Sequence, residues 1–258
     1  MVWQIDLKGK TIVVTGGNRG IGLAISEQCA QAGAHVAIIY RSSQDAPEVA
    51  KKIGEKYEVH CEAYQADVAD QAAISELFKK IYKDVGPVAG VVCNAGVNYK
   101  KPAIELTKED FDDNFGPNVW GVFTCAQAAA KLWKEHDYKN GRIVFVSSVA
   151  ATIANKGEAQ AFYNPTKAAV NSLARNLAME WADQGITVNC LSPGYVHTDM
   201  NAGLKDDPEF EKKVAASTML NRISTPDEQA GTAVFLLSDY ASYITGTQLI
   251  VDGGLHSW

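Results

Sequence analysis

The chain has 258 residues, of which 47% are hydrophobic and 21% are charged, and its formal net charge is −6 at pH 7. This composition is typical of a globular protein and excludes a disordered or low-complexity chain. The acidic balance argues against a nucleic-acid partner, because a surface that binds phosphate backbones usually needs a basic excess. The length predicts one α/β domain over residues 1–258.

The sequence carries no signal for export, membrane insertion or metal binding. Residues 1–10 lack the apolar core of a signal peptide, and no apolar run is long enough to cross a bilayer. We therefore expect a cytoplasmic protein with no membrane partner. The five cysteines include no CxxC pair and fit neither a disulfide framework nor a zinc site, so no metal site is predicted.

Strand-like and helix-like patterns alternate along the whole chain. Seven short segments rich in Val and Ile are typical of buried strands: KTIVVTG, AHVAIIY, EVHCEAY, VAGVVCNAG, GRIVFVSS, ITVNCLSPG and TQLIVDGG. Several of the helical stretches between them begin with a Thr, Ser or Asp cap and end at glycine: IGLAISEQCAQAG, DAPEVAKKIGEKY, DQAAISELFKKIYKDVG, TKEDFDDNFGPNVWGVFTCAQAAAKLWKE, FYNPTKAAVNSLARNLAMEWADQG and TPDEQAGTAVFLLSD.

This alternation predicts a doubly wound α/β fold, with a seven-stranded parallel sheet covered by helices on both faces. Apolar strands joined by helices imply right-handed crossovers, which place the helices there. The least regular segment, residues 201–225, lies between the sixth strand and the last helix. That position suits a lid over a cleft at the carboxyl ends of the strands.

The glycine-rich stretch TGGNRGIG, residues 15–22, follows the first strand and opens the first helix. Amide groups at a helix N-terminus favour phosphate, and glycines let the backbone approach a ligand closely. The alternative is a tight turn that binds nothing. The spacing is T-G-x-x-x-G-x-G rather than the G-x-G-x-x-G of many dinucleotide-binding folds.

In this form the stretch resembles the cofactor motif of the short-chain dehydrogenase/reductase family. Four more motifs and one serine stand where that family has them: CNAG at 93–96, Asn118 in NVWG, Ser148, YNPTK at 163–167 and SPGYVHT at 192–198. The resemblance covers essentially the whole chain. It implies a Rossmann-type single domain, with a cofactor half over about 1–150 and a catalytic, substrate-binding half over about 151–258, and an assembly into homotetramers.

The end of the second strand indicates which cofactor binds. Enzymes that prefer NAD usually place Asp or Glu there to bind the ribose hydroxyls, whereas this chain has Tyr40 and Arg41. Without a carboxylate to repel a 2′-phosphate, Arg41 and Arg19 can donate charge-assisted hydrogen bonds to it, which favours NADP(H). The alternative is that both are ordinary exposed arginines. The resemblance implies that Asp67 binds the adenine amine, although alone it is equally typical of a turn.

The full set of cofactor-binding residues that the resemblance implies extends over five loops. It comprises Gly16, Asn18, Arg19, Ile21, Gly22, Arg41, Ser42, Asp67, Val68, Asn94, Ala95, Gly96, Tyr163, Lys167, Pro193, Gly194, Val196 and Thr198.

Tyr163 and Lys167 stand four residues apart, so their side chains project from one face of a helix. Pro165 is tolerated between them only in or near the first turn. A tyrosine with a pKa near 10 needs a nearby positive charge to ionise at neutral pH, and Lys167 supplies one. A Y-x-x-x-K pair by itself more often belongs to an exposed helix face, and only its order after Ser148 and the glycine loop favours a catalytic pair.

The resemblance gives four residues catalytic roles in carbonyl reduction. Tyr163 donates the proton, Ser148 binds the substrate oxygen, Lys167 also holds the nicotinamide ribose, and Asn118 anchors a water that relays protons. Asn118 alone would equally well interrupt a helix. The interval between Ser148 and Tyr163 is longer than the family's usual spacing, and choosing Ser147 would lengthen it further.

The loops beside the expected substrate site are polar, which suggests a polyhydroxylated substrate: Asn155, Lys156, Glu158, Gln160, His197 and Asn201. Stretches such as VAIIYRS, GPVAGVVCNAGV, LSPGYVHTD and VDGGLHSW resemble fungal NADP-dependent mannitol 2-dehydrogenases and the related sorbose and xylulose reductases. That resemblance implies a small-molecule pair such as D-fructose and D-mannitol.

Two alternatives stay open. The chain could reduce another carbonyl class, such as 3-oxoacyl thioesters or a specialised-metabolite ketone, although no obvious basic cluster is available for an acyl-carrier partner. It could also be a non-catalytic NADPH-binding regulator, for which loss of Tyr163 or Lys167 would be expected, yet both are present.

Overall fold

A computed structural model describes residues 4–201 and 207–257. It contains one sheet of seven strands in the order β3-β2-β1-β4-β5-β6-β7, and every neighbouring pair runs parallel. All seven predicted strands are confirmed, as is the doubly wound architecture. Their bounds are β1 Thr11–Thr15, β2 His35–Tyr40, β3 Cys61–Gln65, β4 Val88–Cys93, β5 Arg142–Val146, β6 Thr187–Pro193 and β7 Gln248–Val251.

Eight α-helices connect or flank these strands in the described part of the chain. Side-chain caps mark several starts, as predicted from the sequence. Asp70 accepts a hydrogen bond from the Ala73 amide, and Thr107 and Thr225 each form a capping box. The helices are α1 Gly20–Gln31, α2 Ala46–Tyr57, α3 Gln71–Asp84, α4 Lys108–Phe115, α5 Gly121–Glu135, α6 Tyr163–Trp181, α7 Pro208–Ala216 and α8 Pro226–Leu237.

The core has two layers because alternate strand residues face opposite sides of the sheet. One layer packs Val91 and Ile143 against α3, α5 and α6, and includes the fully buried Trp133. The other packs Val92 and Val144 against α1, α2 and α8. Burial on both faces explains why the central strands are continuous apolar runs rather than alternating patterns.

The strand order reverses between β1 and β4, since β1 pairs with β2 on one side and with β4 on the other. In open parallel sheets, ligands bind beyond the carboxyl ends of the strands at such a switch point. The glycine-rich stretch and the residues after β4, β5 and β6 all lie at this edge.

Two details differ from the sequence-based expectation. The single long helix predicted before β5 is α4 and α5 joined by a π-helical segment, Gly116–Trp120. Pro117 lies inside this segment and has no amide hydrogen to continue a regular ladder. Within the irregular segment 201–225, residues 208–216 form α7, which begins after an Asp207 side-chain cap. Residues 202–206 lie outside the described part.

No helix in the described ranges is long and apolar enough to span a membrane.

Candidate active site

The loop between β1 and α1 needs its glycines. Gly16 and Gly20 have φ angles of +63° and +53°, in the left-handed region that disfavours a side chain. A Cβ at Gly22 would lie 2.2 Å from the Gly16 carbonyl oxygen and 2.4 Å from the Asn94 amide nitrogen. The start of α1 therefore packs directly against the end of β1, as a dinucleotide-binding turn requires.

The first backbone amides of α1 have no side-chain cap and are available to bind an anion. Arg19, at the N-cap position, makes no side-chain capping bond, and the first turn contains no acidic residue. The first amides of a helix have no partner within the helix, and their dipoles favour negative charge. This terminus fits the pyrophosphate of a dinucleotide.

Thr15 and Asn94 tie the glycine loop to the end of β4. The Thr15 hydroxyl oxygen accepts hydrogen bonds from the amides of Asn94 and Ala95, at 3.0 and 2.9 Å. The Asn94 side chain donates to the carbonyl oxygens of Thr15 and Gly16, at 2.9 and 3.2 Å. Thr15 belongs to the cofactor motif by resemblance, and its place directly before the glycines suits this anchoring of the loop.

Ser26 is a second positioning residue that the sequence analysis missed. Its fully buried hydroxyl lies 3.0 Å from the Gly17 carbonyl oxygen and 2.9 Å from that of Gly22. The available signal is a single serine inside the apolar stretch IGLAISEQCA, because a buried hydroxyl needs a hydrogen-bond partner.

Half of the residues predicted to bind the cofactor line one pocket at the carboxyl edge of the sheet, and the others belong to loops at the same edge. Gly16, Asn18, Arg19 and Gly22 form the glycine loop, Arg41 and Ser42 are exposed after β2, Asp67 and Val68 follow β3, and Ala95 lies beside the pocket. The predicted residues that line the pocket are Ile21, Asn94, Gly96, Tyr163, Lys167, Pro193, Gly194, Val196 and Thr198.

The residues expected near the adenosine have different partners in the structure. Neither Arg19 nor Arg41 is in an ion pair with any described residue. The exposed Asp67 carboxylate accepts from the Ala69 amide at 2.9 Å, which is the turn geometry considered as its alternative. The Val68 carbonyl accepts from the Thr124 hydroxyl at 2.6 Å, which ties this loop to α5.

Tyr163 and Lys167 are buried, so they do not form the exposed helix face considered as an alternative. Their exposed fractions are 8% and 5%. Tyr163 begins α6, which places Pro165 in the first turn, as the sequence required. The Lys167 ammonium nitrogen lies 5.7 Å from the centre of the Tyr163 ring and donates to the Val146 carbonyl oxygen at 2.9 Å.

Burial shifts the pKa values of Tyr163 and Lys167 in the directions that favour the neutral form of each side chain. Desolvation raises the pKa of Tyr163 above its usual value, and a hydrogen bond with Ser148 opposes that rise. Desolvation lowers the pKa of Lys167 to about 8. At neutral pH the pair therefore consists mainly of a neutral phenol beside an ammonium ion, which is the state suited to donating a proton.

The two serines after β5 have different partners. The buried Ser147 hydroxyl donates to the Lys167 carbonyl oxygen at 3.1 Å and so fixes α6 to the end of β5. The Ser148 hydroxyl oxygen accepts from the Ala150 amide at 3.1 Å and lies within hydrogen-bond reach of Tyr163. Ser148 thus lies beside Tyr163 while Ser147 is used within the fold, and the contact of Ser148 with substrate stays a prediction.

Asn118 is fully buried in the π-helical segment, and its side chain joins three elements. Its amide oxygen accepts from the Val97 amide at 2.8 Å, while its amide nitrogen donates to the Val97 carbonyl at 2.9 Å and to the Thr166 hydroxyl at 3.1 Å. The side chain thus positions the loop after β4 against α6. The water-anchoring role of Asn118 stays a prediction.

The polar residues predicted near the substrate divide into two groups. Asn155, Gln160 and Asn201 line the pocket, and so does Asn98, which the sequence analysis missed. Three others do not line it. Glu158 pairs with Lys100 at 2.6 Å, His197 lies 3.4 Å from a Glu211 carboxylate oxygen of α7, and Lys156 is exposed. No group of three or more possible metal ligands occurs among the described residues.

Comparison with known proteins gives consistent matches over the length of the chain. A family model described as enoyl-(acyl carrier protein) reductase matches residues 16–256. Sorbose reductase SOU1 of Candida albicans is 40% identical over 96% of this chain and 88% of its own length. An NADP-dependent mannitol dehydrogenase of Alternaria alternata is 36% identical over 96% of this chain and 93% of its own.

A solved structure agrees with these matches. The gluconate 5-dehydrogenase of Burkholderia cenocepacia, in complex with NADP and tartrate, superposes with a TM-score of 0.92. The two chains are 32% identical, and the match covers 98% of this chain and 97% of the other. The predicted family resemblance is confirmed: the chain is an oxidoreductase that belongs to the short-chain dehydrogenase/reductase family.

Proposed function

We propose that the protein is an NADPH-dependent ketose reductase that interconverts a ketose such as D-fructose with its polyol. The observation that carries this proposal is the buried Tyr163, which lines one pocket with Ser148 and Lys167 beside the glycine loop and has the Lys167 ammonium nitrogen 5.7 Å from its ring centre. The similarity to a sorbose reductase and a mannitol dehydrogenase supports the ketose class.

The residues at the sheet edge fit a phosphorylated dinucleotide. The uncapped start of α1 would hold the pyrophosphate, and Gly96 leaves room where a Cβ would lie 2.9 Å from the Asn118 amide oxygen. Arg41 and Arg19, both exposed and without ion-pair partners in the described ranges, would hold the 2′-phosphate. When bound, this cofactor supplies the hydride that reduces the carbonyl carbon.

The side chains of this chain would supply the proton and the positioning. Ser148 donates a hydrogen bond to the carbonyl oxygen and orients it towards Tyr163. The Tyr163 phenol then gives its proton to that oxygen, which becomes the hydroxyl of the product. The Lys167 ammonium stabilises the phenolate that remains, and proton transfer from solvent restores the phenol.

The direct test is the initial rate of NADPH oxidation by the purified protein with D-fructose, L-sorbose, L-xylulose and cyclohexanone, repeated with NADH. We expect turnover of at least one ketose with NADPH, at a kcat/KM well above that for cyclohexanone. Turnover of cyclohexanone alone, or of none of the four, would contradict the ketose assignment.

A reductase of 3-oxoacyl thioesters is the second candidate, because a 3-oxoacyl-[acyl-carrier-protein] reductase of Aquifex aeolicus is 35% identical over 98% of this chain and 99% of its own length. The lysines in the loop after β4 do not form a basic patch on which an acyl carrier could dock. Lys100 pairs with Glu158 and Lys101 pairs with Asp110, so both ammonium groups are neutralised. Acetoacetyl-coenzyme A in the same assay distinguishes this candidate from a ketose reductase.

We also propose that the protein assembles into a homotetramer. The end of α4, the π-helical segment, α5 and α6 form an apolar groove that includes Phe115, Val119, Phe123, Leu173 and the 45% exposed Trp120. A second copy would remove this surface from water. Sedimentation equilibrium of the purified protein measures the assembly directly.

Arg41→Asp is expected to lower the preference for NADPH over NADH by about 10-fold to 100-fold, measured as the ratio of kcat/KM values. The substitution removes a charge-assisted hydrogen bond of about 1.5–3 kcal/mol and adds repulsion of the 2′-phosphate. Lys51→Asp is the matched control, because Lys51 is an exposed cation on α2 paired with Glu55. An unchanged ratio in Arg41→Asp would remove Arg41 from the 2′-phosphate site.

A further inference from the structure

Three side-chain amides line the same pocket as Ser148 and Tyr163, and we call Asn98, Asn155 and Gln160 the amide array. Gln160 is its centre and is 8% exposed. The Gln160 amide nitrogen donates to the Asn98 amide oxygen at 3.1 Å. The Gln160 amide oxygen accepts from the Asn155 amide nitrogen at 3.4 Å. The array is therefore a connected chain of hydrogen bonds rather than three independent polar residues.

Two loops hold the array in place. The Lys101 amide donates to the Ala159 carbonyl oxygen at 3.1 Å, and the Lys100 ammonium pairs with the buried Glu158 carboxylate at 2.6 Å. The Asn164 amide donates to the Gln160 carbonyl oxygen at 3.1 Å, so the backbone of Gln160 is fixed to the first turn of α6, directly after Tyr163. The long interval between Ser148 and Tyr163 thus carries an ordered polar surface that is anchored to the catalytic helix.

Both ends of the array have unused hydrogen-bonding capacity. Within the described part of the chain, the Asn98 amide nitrogen has no hydrogen-bond acceptor, and the Asn155 amide oxygen has no donor. An amide nitrogen carries two donors and an amide oxygen two acceptor sites. The array therefore offers donors at one end and acceptors at the other. Hydroxyl groups need both, since each donates one hydrogen bond and accepts others.

The charge of the pocket points to an uncharged ligand. Lys167 is the only charged residue among the described residues that line it, and its ammonium already donates to the Val146 carbonyl oxygen. A carboxylate on the substrate would need a cation or several donors to replace its hydration. A neutral hydroxylated chain needs only groups that donate and accept, and the amide array has both.

We propose that the amide array is the subsite that binds the hydroxyl groups of an uncharged ketose, and that it selects such ketoses over apolar ketones and over keto sugar acids. The inference rests on the proposed function, because the carbonyl must lie at Ser148 and Tyr163 while the remaining hydroxyls contact the array. A site built to hydrogen-bond a hydroxyl discriminates strongly against an analogue that lacks it, since its own polar groups are then left unpaired.

Gln160→Met tests the proposal, because methionine keeps nearly the same volume and removes both bonds at the centre of the array. We expect the ratio of kcat/KM for the ketose to kcat/KM for cyclohexanone to fall by about tenfold or more, mainly through a higher KM for the ketose. Gln71→Met is the matched control, because Gln71 is an exposed amide on α3 outside the pocket. We also expect wild type to use the neutral ketose at a higher kcat/KM than 5-keto-D-gluconate.

The outcomes separate this inference from the proposed function. If wild type reduces a ketose but Gln160→Met changes the ratio no more than Gln71→Met, the subsite is wrong and the proposed function stands. A wild-type preference for 5-keto-D-gluconate would likewise overturn the selection for uncharged substrates. If wild type reduces no ketose, both proposals fall. Should Gln160→Met not fold by thermal melting, Asn155→Leu provides the same ratio test at the end of the array.

Discussion

Tyr163→Phe is expected to lower kcat by about two to four orders of magnitude, which is the usual contribution of a positioned general acid. The substitution removes only the phenol oxygen, and the ring keeps its place at the start of α6. Binding of NADPH, measured by quenching of protein fluorescence, is expected to stay within a few-fold of wild type because the glycine loop is unchanged. Loss of turnover with retained binding would place the effect in the proton-transfer step.

Tyr64→Phe is the matched control for this experiment. Tyr64 is 6% exposed, and its hydroxyl donates to Glu62 at 3.1 Å on β3. The substitution therefore also removes the phenol oxygen of a buried tyrosine, but outside the pocket, so its kcat should equal that of wild type. If Tyr163→Phe kept more than about a tenth of the wild-type kcat, another group would have to be the proton donor.

The sheet was predictable because local pattern and tertiary environment agree in it. Each central strand is a short apolar run, and in the structure both of its faces are buried, so the run has only one stable arrangement. The π-helical segment was not predictable in the same way. It depends on Asn118, whose amide bonds to Val97 and Thr166, and these partners lie 21 and 48 residues away in the sequence.

The helix α7 was missed for a different reason. Asp207 followed by Pro208 is a recognisable helix start, and the Asp207 side chain accepts hydrogen bonds from the amides of Glu209 and Phe210. That start signal was available in the sequence, but the polar composition around it was interpreted as a lid loop.

The candidate site was predictable where it depends on motifs and not where it depends on long-range pairs. Ser148, Tyr163 and Lys167 come together because the carboxyl ends of parallel strands meet at one edge. Glu158 and His197 were expected beside the substrate because they are polar, yet each has a distant partner, Lys100 and Glu211. Gln160 likewise bonds to Asn98, which is 62 residues away, and no local pattern contains that information.

In the proposed mechanism Lys167 controls how easily Tyr163 ionises, and the 5.7 Å between its ammonium nitrogen and the Tyr163 ring centre gives the sign of the expected effect. A positive charge near a phenol favours the phenolate and lowers the pKa of the tyrosine, against the rise that burial causes. Removing the charge must therefore raise the pKa of Tyr163. In the direction of alcohol oxidation the phenolate is the base, so the rate depends on the fraction of Tyr163 that is ionised in the complex.

Lys167→Met is expected to lower kcat for polyol oxidation at pH 7 by about two orders of magnitude or more and to move the rising limb of the pH profile of kcat to higher pH. Lys167→Arg keeps the charge, so its kcat should rise over nearly the same pH range as in wild type, even if the rate itself is reduced. A Lys167→Met profile with lower rates but an unchanged midpoint would contradict the electrostatic role and leave Lys167 only as a ligand of the ribose.

Stability of the cofactor-free protein gives a readout of Lys167 that does not depend on turnover. The pKa of Lys167 is about 8 in the folded protein, against 10.5 for an ordinary lysine. Between these values the unfolded chain binds more protons than the folded one, so this group makes the free energy of unfolding rise with pH over that window. Below about pH 8 both states are protonated and the contribution is constant. Four thiols whose pKa burial raises act in the opposite direction over the same window, in wild type and variant alike. Urea unfolding at pH 7.5 and at pH 9.5 should therefore show a change in the free energy of unfolding that is more positive in wild type than in Lys167→Met. An equal change in both proteins would mean that the ammonium of Lys167 is not desolvated.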